Sequence, residues 1–101
     1  MREFLRGAVR LHILHHAARG SVHGAWMATE LAGHGYRISP GSLYPTLHKM
    51  EAEGLLRSSQ QVIDGRVRRS YRATTKGRQT LESAKDQLRE LVREVLGDET
   101  P

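Results

Sequence analysis

Residues Ser39 to Gly77 read SPGSLYPTLHKMEAEGLLRSSQQVIDGRVRRSYRATTKG. Ser39 and Pro40 mark a helix start. Serine suits the N-cap, and proline suits the first helical position, where its φ already fits and its missing N–H is not needed. Leu43, Leu47 and Met50 follow at i, i+4 and i+7, the buried stripe of a short amphipathic helix that Gly54 ends. Ser42, Tyr44, Thr46, His48 and Lys49 fall off that stripe. Pro45 is awkward, because an interior proline removes a backbone hydrogen bond. Either the helix bends there or it begins nearer Ser42, with Pro45 in its first turn.

Two β-rich runs come next, Ser59 to Ile63 and Val67 to Ala73, around Asp64-Gly65-Arg66. Asp-Gly between β-prone runs is a strong local hairpin signal. Alternation puts Arg66, Arg68 and Arg72 on one face, and Val67, Arg69 and Tyr71 on the other. Tyr71 is expected to pack inward. A helix feeding a basic hairpin outlines an α+β winged helix-turn-helix, and double-stranded DNA is the partner that outline suggests.

Working outward, Phe4, Leu5, Ala8, Val9, Leu11, Leu14 and Ala17 recur at helical steps and predict a helix from about Arg2 to Ala18. Gly20 and Ser21 stop it. A shorter helix is expected from Ala25 to Ala32, with Trp26, Met27 and Leu31 as its apolar contacts and Gly33 and Gly35 beyond it. After the hairpin, Thr75 is the expected N-cap of a helix reaching about Leu96, with Gly97 as its stop. Leu81, Ala84, Leu88, Leu91 and Val95 form a heptad seam along it. A seam outside the compact helix-hairpin unit suggests a homodimer, with Leu5 and Val9 of the first helix contributing to the interface. Residues 1–74 then form the winged domain, 75–97 a long C-terminal dimerisation helix of the same compact unit, and 98–101 a disordered tail.

Charge sharpens the partner. The 101 residues carry a net charge of +5. Residues 1–56 hold +2, residues 57–78 hold +6, and the remainder holds −3. The excess sits on the hairpin and the helix start after it, the footprint expected of nucleic-acid binding. The absence of cysteine excludes disulfides and thiolate metal sites and fits a cytoplasmic setting. No apolar run approaches the roughly 18–20 residues of a membrane span, and no secretory signal is evident. No nucleophile-base pair, phosphate-binding glycine loop or carboxylate pair appears, so no enzyme activity is expected.

The phrase ISPGSLYPTLHKMEAEGLL…DGRVRRSYRATTKGRQTL resembles the PadR family of bacterial transcriptional regulators. HGAWMATEL, His23 to Leu31, looks like that family's second-helix motif. The resemblance covers nearly the whole chain and fits the compact subfamily with one C-terminal helix. Ala25-Trp26 departs from the usual Tyr-Glu, and His48-Lys49-Met50 from Lys-Arg-Leu. The resemblance implies a homodimeric repressor on a pseudo-palindromic operator. On the physical reading, Ser39, Ser42, Tyr44, Thr46, His48 and Lys49 are candidates for base or phosphate contact. Arg66, Arg68 and Arg69 would meet phosphates or a narrow minor groove. Lys76 would hold a phosphate at a helix N-terminus.

Similar regulators respond to phenolic acids or planar drugs, and Phe4 and Trp26 are the candidate stacking surfaces for such an effector. No cofactor is required. A divalent metal is a possible effector, because His12 and His16 lie at i, i+4 on one helix face. A metal-responsive regulator, and a protein-interaction winged helix without DNA binding, are therefore the two alternative readings.

Overall fold

The structure is a computed structural model that describes residues 1–97; the tail at 98–101, expected to be disordered, lies outside the described residues. Its elements run α1 (Arg2–Arg19), β1 (Val22–His23), α2 (Gly24–Gly33), α3 (Pro40–Ala52), β2 (Leu56–Ile63), β3 (Arg66–Ala73) and α4 (Thr75–Leu96). This is a winged helix: three helices, a basic hairpin, and a long closing helix.

The hairpin is tighter than the sequence implies. Ile63 pairs with Arg66, so only Asp64 and Gly65 form the turn. Both take positive φ, 52° and 75°, as a two-residue turn matched to strand twist requires. Arg66 is thus the first strand residue. A third strand, β1, joins the sheet in the order β1-β3-β2, with Val22 opposite Tyr71 and His23 opposite Ser70. Two residues are too few to show a period of two, so β1 left no signal in the pattern.

One apolar core joins Ile13, Leu14 and Ala17 of α1, Met27 and Leu31 of α2, Leu43, Leu47 and Met50 of α3, and Leu55, Leu56, Tyr71 and Leu81. Burying each large side chain contributes about 1.5–3 kcal/mol. Val9, expected at the dimer interface, belongs to this core with 6% exposure. Leu81, the first residue of the seam, does too, with 5% exposure.

The start of α4 depends on a glycine. Gly77 is buried where a Cβ would lie 2.1 Å from the Leu55 carbonyl oxygen, so only glycine lets α4 cross the base of β2 this closely. Thr74, rather than Thr75, is the N-cap: its hydroxyl accepts from the Gly77 N–H at 3.0 Å and donates to the Gly54 carbonyl at 2.5 Å. Thr74 is preferred because the same hydroxyl also binds the turn that follows α3. Arg78 adds a third tie, donating to the Ala18 carbonyl at the end of α1 at 2.8 Å.

Candidate nucleic-acid interface

Helix α3 begins at Pro40 and runs through Pro45 to Ala52, so it does not begin nearer Ser42 with Pro45 in its first turn. Two features make this tolerable. The carbonyl that Pro45 leaves without its helical donor belongs to Gly41, which is exposed to water. Next to it, the Thr46 hydroxyl donates to the Ser42 carbonyl at 2.9 Å. Ser39 is the N-cap by position, and its carbonyl accepts from Ser42 and Leu43 N–H, both at 2.9 Å. Its side chain makes no cap hydrogen bond; the hydroxyl lies 3.4 Å from that of Ser42 instead.

With Leu43, Leu47 and Met50 turned into the core, helical geometry sorts the rest of α3. Gly41, Pro45 and His48 face outward, all exposed. Tyr44 and Glu51 lie on one flank, and Ser42, Thr46 and Lys49 on the other.

The first flank meets α2 and the wing. Tyr44 is 42% exposed, and its ring lies against the start of α2. A Cβ on Gly24 would come within 2.6 Å of Tyr44 Cε1, so the glycine makes room for the ring. Glu51 accepts from the Ser58 hydroxyl at 2.6 Å and the Ser58 N–H at 3.1 Å, which ties the hairpin base to α3. The Ser58 hydroxyl holds this carboxyl below its ordinary range, burial opposes that, and the charges of Arg69 and His48 lower it further. Behind it Tyr71 is 1% exposed. Burial raises its phenol pKa, and Arg69 acts in the opposite direction.

On the wing, Arg69 shares the α3 side with Tyr71, whereas Arg66 and Arg68 lie on the other face. All three are exposed at the outer half of the hairpin. Val62 and Val67 pair directly across the strands there and are also exposed.

The second flank holds residues that sequence reasoning missed. Ser42, Pro45, Thr46 and Lys49 line a cleft of about 810 Å³ together with Leu5, Arg6, Val9 and Arg10 of α1 and the connection from His34 to Ile38. Arg6 and Arg37 therefore stand beside α3, although both lie far from the basic hairpin in the chain. Arg10 is taken up by an ion pair with Glu53. No local pattern marks Arg6 or Arg37; only the fold, which sets α1 and the 34–38 connection along one cleft with α3, brings them together.

Lys76 has a different position from the one expected. Its ammonium donates to the Glu53 carbonyl at the end of α3, at 2.7 Å, rather than standing free at the start of α4. The last carbonyls of a helix have no helical donor, so a lysine from the next layer satisfies one.

The histidines spread over several contacts. His12 packs on His34 and Tyr36, with ring centroids 5.0 and 5.1 Å apart. His16 packs edge-on against Trp26 at 5.2 Å and faces the Glu30 carboxylate at 3.4 Å, which His34 also meets at 3.1 Å. Burial lowers the pKa of both His12 and His16, and neighbouring histidine charge lowers it further. Among the described residues no group of three or more His, Cys, Asp or Glu side chains is arranged to hold a metal ion. Phe4 and Trp26 are also separated. Phe4 lines an apolar groove of about 610 Å³ between α1 and α4, with Leu11, Leu81, Ala84, Leu88 and Leu91, and Trp26 lines neither cleft.

The sequence profile of the transcriptional regulator PadR-like family matches residues 13–83, from the middle of α1 into α4. This chain belongs to that family. As a PadR-family protein it is a transcriptional regulator and not an enzyme. It is 64% identical over 100 residues to the transcriptional regulator Rv3488 of Mycobacterium tuberculosis, covering 99% of this chain and 94% of that protein. Its fold is similar to that of a PadR-like transcriptional regulator from Bacillus cereus, with a TM-score of 0.86, 29% identity and 98% of each chain covered. A PadR from Bacillus subtilis, solved in complex with operator DNA, shares the fold at a TM-score of 0.68 and 20% identity over 75% of this chain and 45% of that one. No helix of the described residues is long and apolar enough to cross a membrane.

Proposed function

We propose that this PadR-family regulator acts in the cytoplasm as a homodimeric repressor that binds double-stranded DNA at a pseudo-palindromic operator. The observation that carries the reading is the outward face of α3, which stands beside a wing bearing Arg66, Arg68 and Arg69, all exposed. Helix α3 enters the major groove, and Ser42, Tyr44, His48 and Lys49 lie within reach of bases or phosphates. The wing arginines meet the adjoining backbone or minor groove. The Bacillus subtilis PadR that shares this fold was solved in complex with operator DNA, which supports DNA as the partner.

Dimerisation rests on the other end of the chain. Leu5, Leu88, Leu91 and Val95 are exposed, and Val95 is 68% exposed. Leu88, Leu91 and Val95 continue the seam that Leu81 and Ala84 begin, whereas Leu5 lines the cleft beside α3. A second copy of α4 laid along the α1–α4 groove covers Leu88 and Leu91, and the same groove would admit a small hydrophobic effector beside Phe4. Metal sensing through His12 and His16 has less support, because the two rings engage different neighbours.

The test is a mobility shift with the DNA upstream of the protein's own gene, using the wild type and an Arg66→Gln, Arg68→Gln, Arg69→Gln variant. The variant is expected to bind all sequences at least about tenfold more weakly, with the same thermal midpoint. Unchanged affinity would remove the wing from the interface. A wild type that binds no DNA at low salt would favour a protein-interaction winged helix.

A further inference from the structure

The wing borders only one flank of α3. A recognition helix in a major groove about 12 Å wide has a phosphate backbone on each side. The cleft on the other flank, between α1, the 34–38 connection and α3, collects Arg6, Arg37 and Lys49. None of these three side chains makes a hydrogen bond or ion pair with a described residue, whereas their neighbour Arg10 is neutralised by Glu53. Arg6, Arg37 and Lys49 are all exposed. The Ser42 hydroxyl lines the same cleft. Three uncompensated cations converging from three separate elements beside a hydroxyl form a surface complementary to a polyanion.

Resting on the DNA-binding reading above, we infer that Arg6, Arg37 and Lys49 form a second phosphate-contact strip. It grips the backbone on the side of α3 opposite the wing. Helix α3 is thereby held in the groove from both sides, the wing arginines on one and this strip on the other. The strip also gives α1 a part in DNA binding, since Arg6 lies in its second turn, on the element that packs against α4. The N-terminal half of α1 thus touches both the DNA surface and the groove proposed for the second copy.

The test measures DNA affinity against salt for the full chain, with wild type, Arg6→Gln/Arg37→Gln, and Arg89→Gln as an equal-type charge change on α4, where Arg89 pairs with Asp86. Every phosphate that goes without its cation makes the log–log salt slope shallower by about 0.9, so a dimer of the double variant should lose about 3 to 4 in slope. Arg89→Gln should leave the slope unchanged. Inorganic phosphate added at constant ionic strength should not compete in the wild type. Three results would overturn the strip: an unchanged slope in the double variant, an equal loss in Arg89→Gln, or competition by inorganic phosphate that the double variant abolishes. The last would make the cleft a small-anion site instead. A wild type that binds no DNA refutes the parent reading, and with it the strip.

Discussion

Two regions of this molecule are incomplete in opposite ways. Around α3, cations at Arg6, Arg37, Lys49, Arg66 and Arg68 stand exposed with no acidic partner among the described residues. Along the far half of α4, Leu88, Leu91, Val95 and Leu96 stand exposed. On that same half Arg89 pairs with Asp86 at 2.8 Å and Arg93 with Glu90 at 2.7 Å. One region therefore calls for a polyanion and the other for an apolar face, which on the proposed reading a second copy of the chain supplies. The first turns of α4 join the two regions, through Thr74, Gly77 and Arg78.

The largest effect should come from breaking the apolar region alone. Leu88→Glu with Leu91→Glu should give a monomer by light scattering and weaken operator binding by about 100-fold or more, because two half-sites then bind independently. The basic region would be untouched, so binding to a single half-site should be unchanged. A dimer that survives both substitutions would place the interface elsewhere.

Breaking the junction should cost stability rather than assembly. Gly77→Ala puts a methyl group against the Leu55 carbonyl, where the nearest atom is backbone and has little freedom to move. It should lose about 1–3 kcal/mol in denaturant unfolding. An unchanged midpoint would mean that α4 can shift away from β2 at little cost.

Gly24→Ala should separate fold from recognition more gently. The clash there is with the end of the Tyr44 ring, a side chain that can swing aside. Stability should hold, while operator affinity falls by about tenfold, ~1.4 kcal/mol. If affinity holds as well, Tyr44 is only a packing residue.

Much of this was legible in the sequence, for definite reasons. Leu43, Leu47 and Met50 announced α3 because a helix buried on one side shows its period. Asp64-Gly65 announced the hairpin because few residues take positive φ at two successive positions. What stayed hidden was contact between distant segments. Gly24 lay just before the expected second helix and Gly77 inside the last one, and nothing marked either until Tyr44 and Leu55 were seen against them. Lys76 looked free for phosphate until the Glu53 carbonyl appeared beside it. Arg6 and Arg37 lay outside the basic stretch, and charge counted along the chain does not see charge gathered by folding.

The smallest expected effect concerns pH. His12 and His16 have pKa values below the ordinary 6.5 in the fold, so the unfolded chain binds protons more readily near and below that pH. Their contribution to stability is present above pH 6.5 and is lost as pH falls toward the folded values. The thermal midpoint should drop by about 2–4 °C between about pH 7.5 and pH 5.5. His12→Gln should reduce the drop; a flat profile would mean the two rings titrate alike in both states.

The central claim is that the face around α3 is built for DNA, and the salt dependence of wild-type binding tests it most directly. Titrating the DNA upstream of the protein's own gene between about 50 and 200 mM salt should show affinity falling by about 1,000-fold or more, as six or more phosphate contacts require. A flat response across that range would contradict the account.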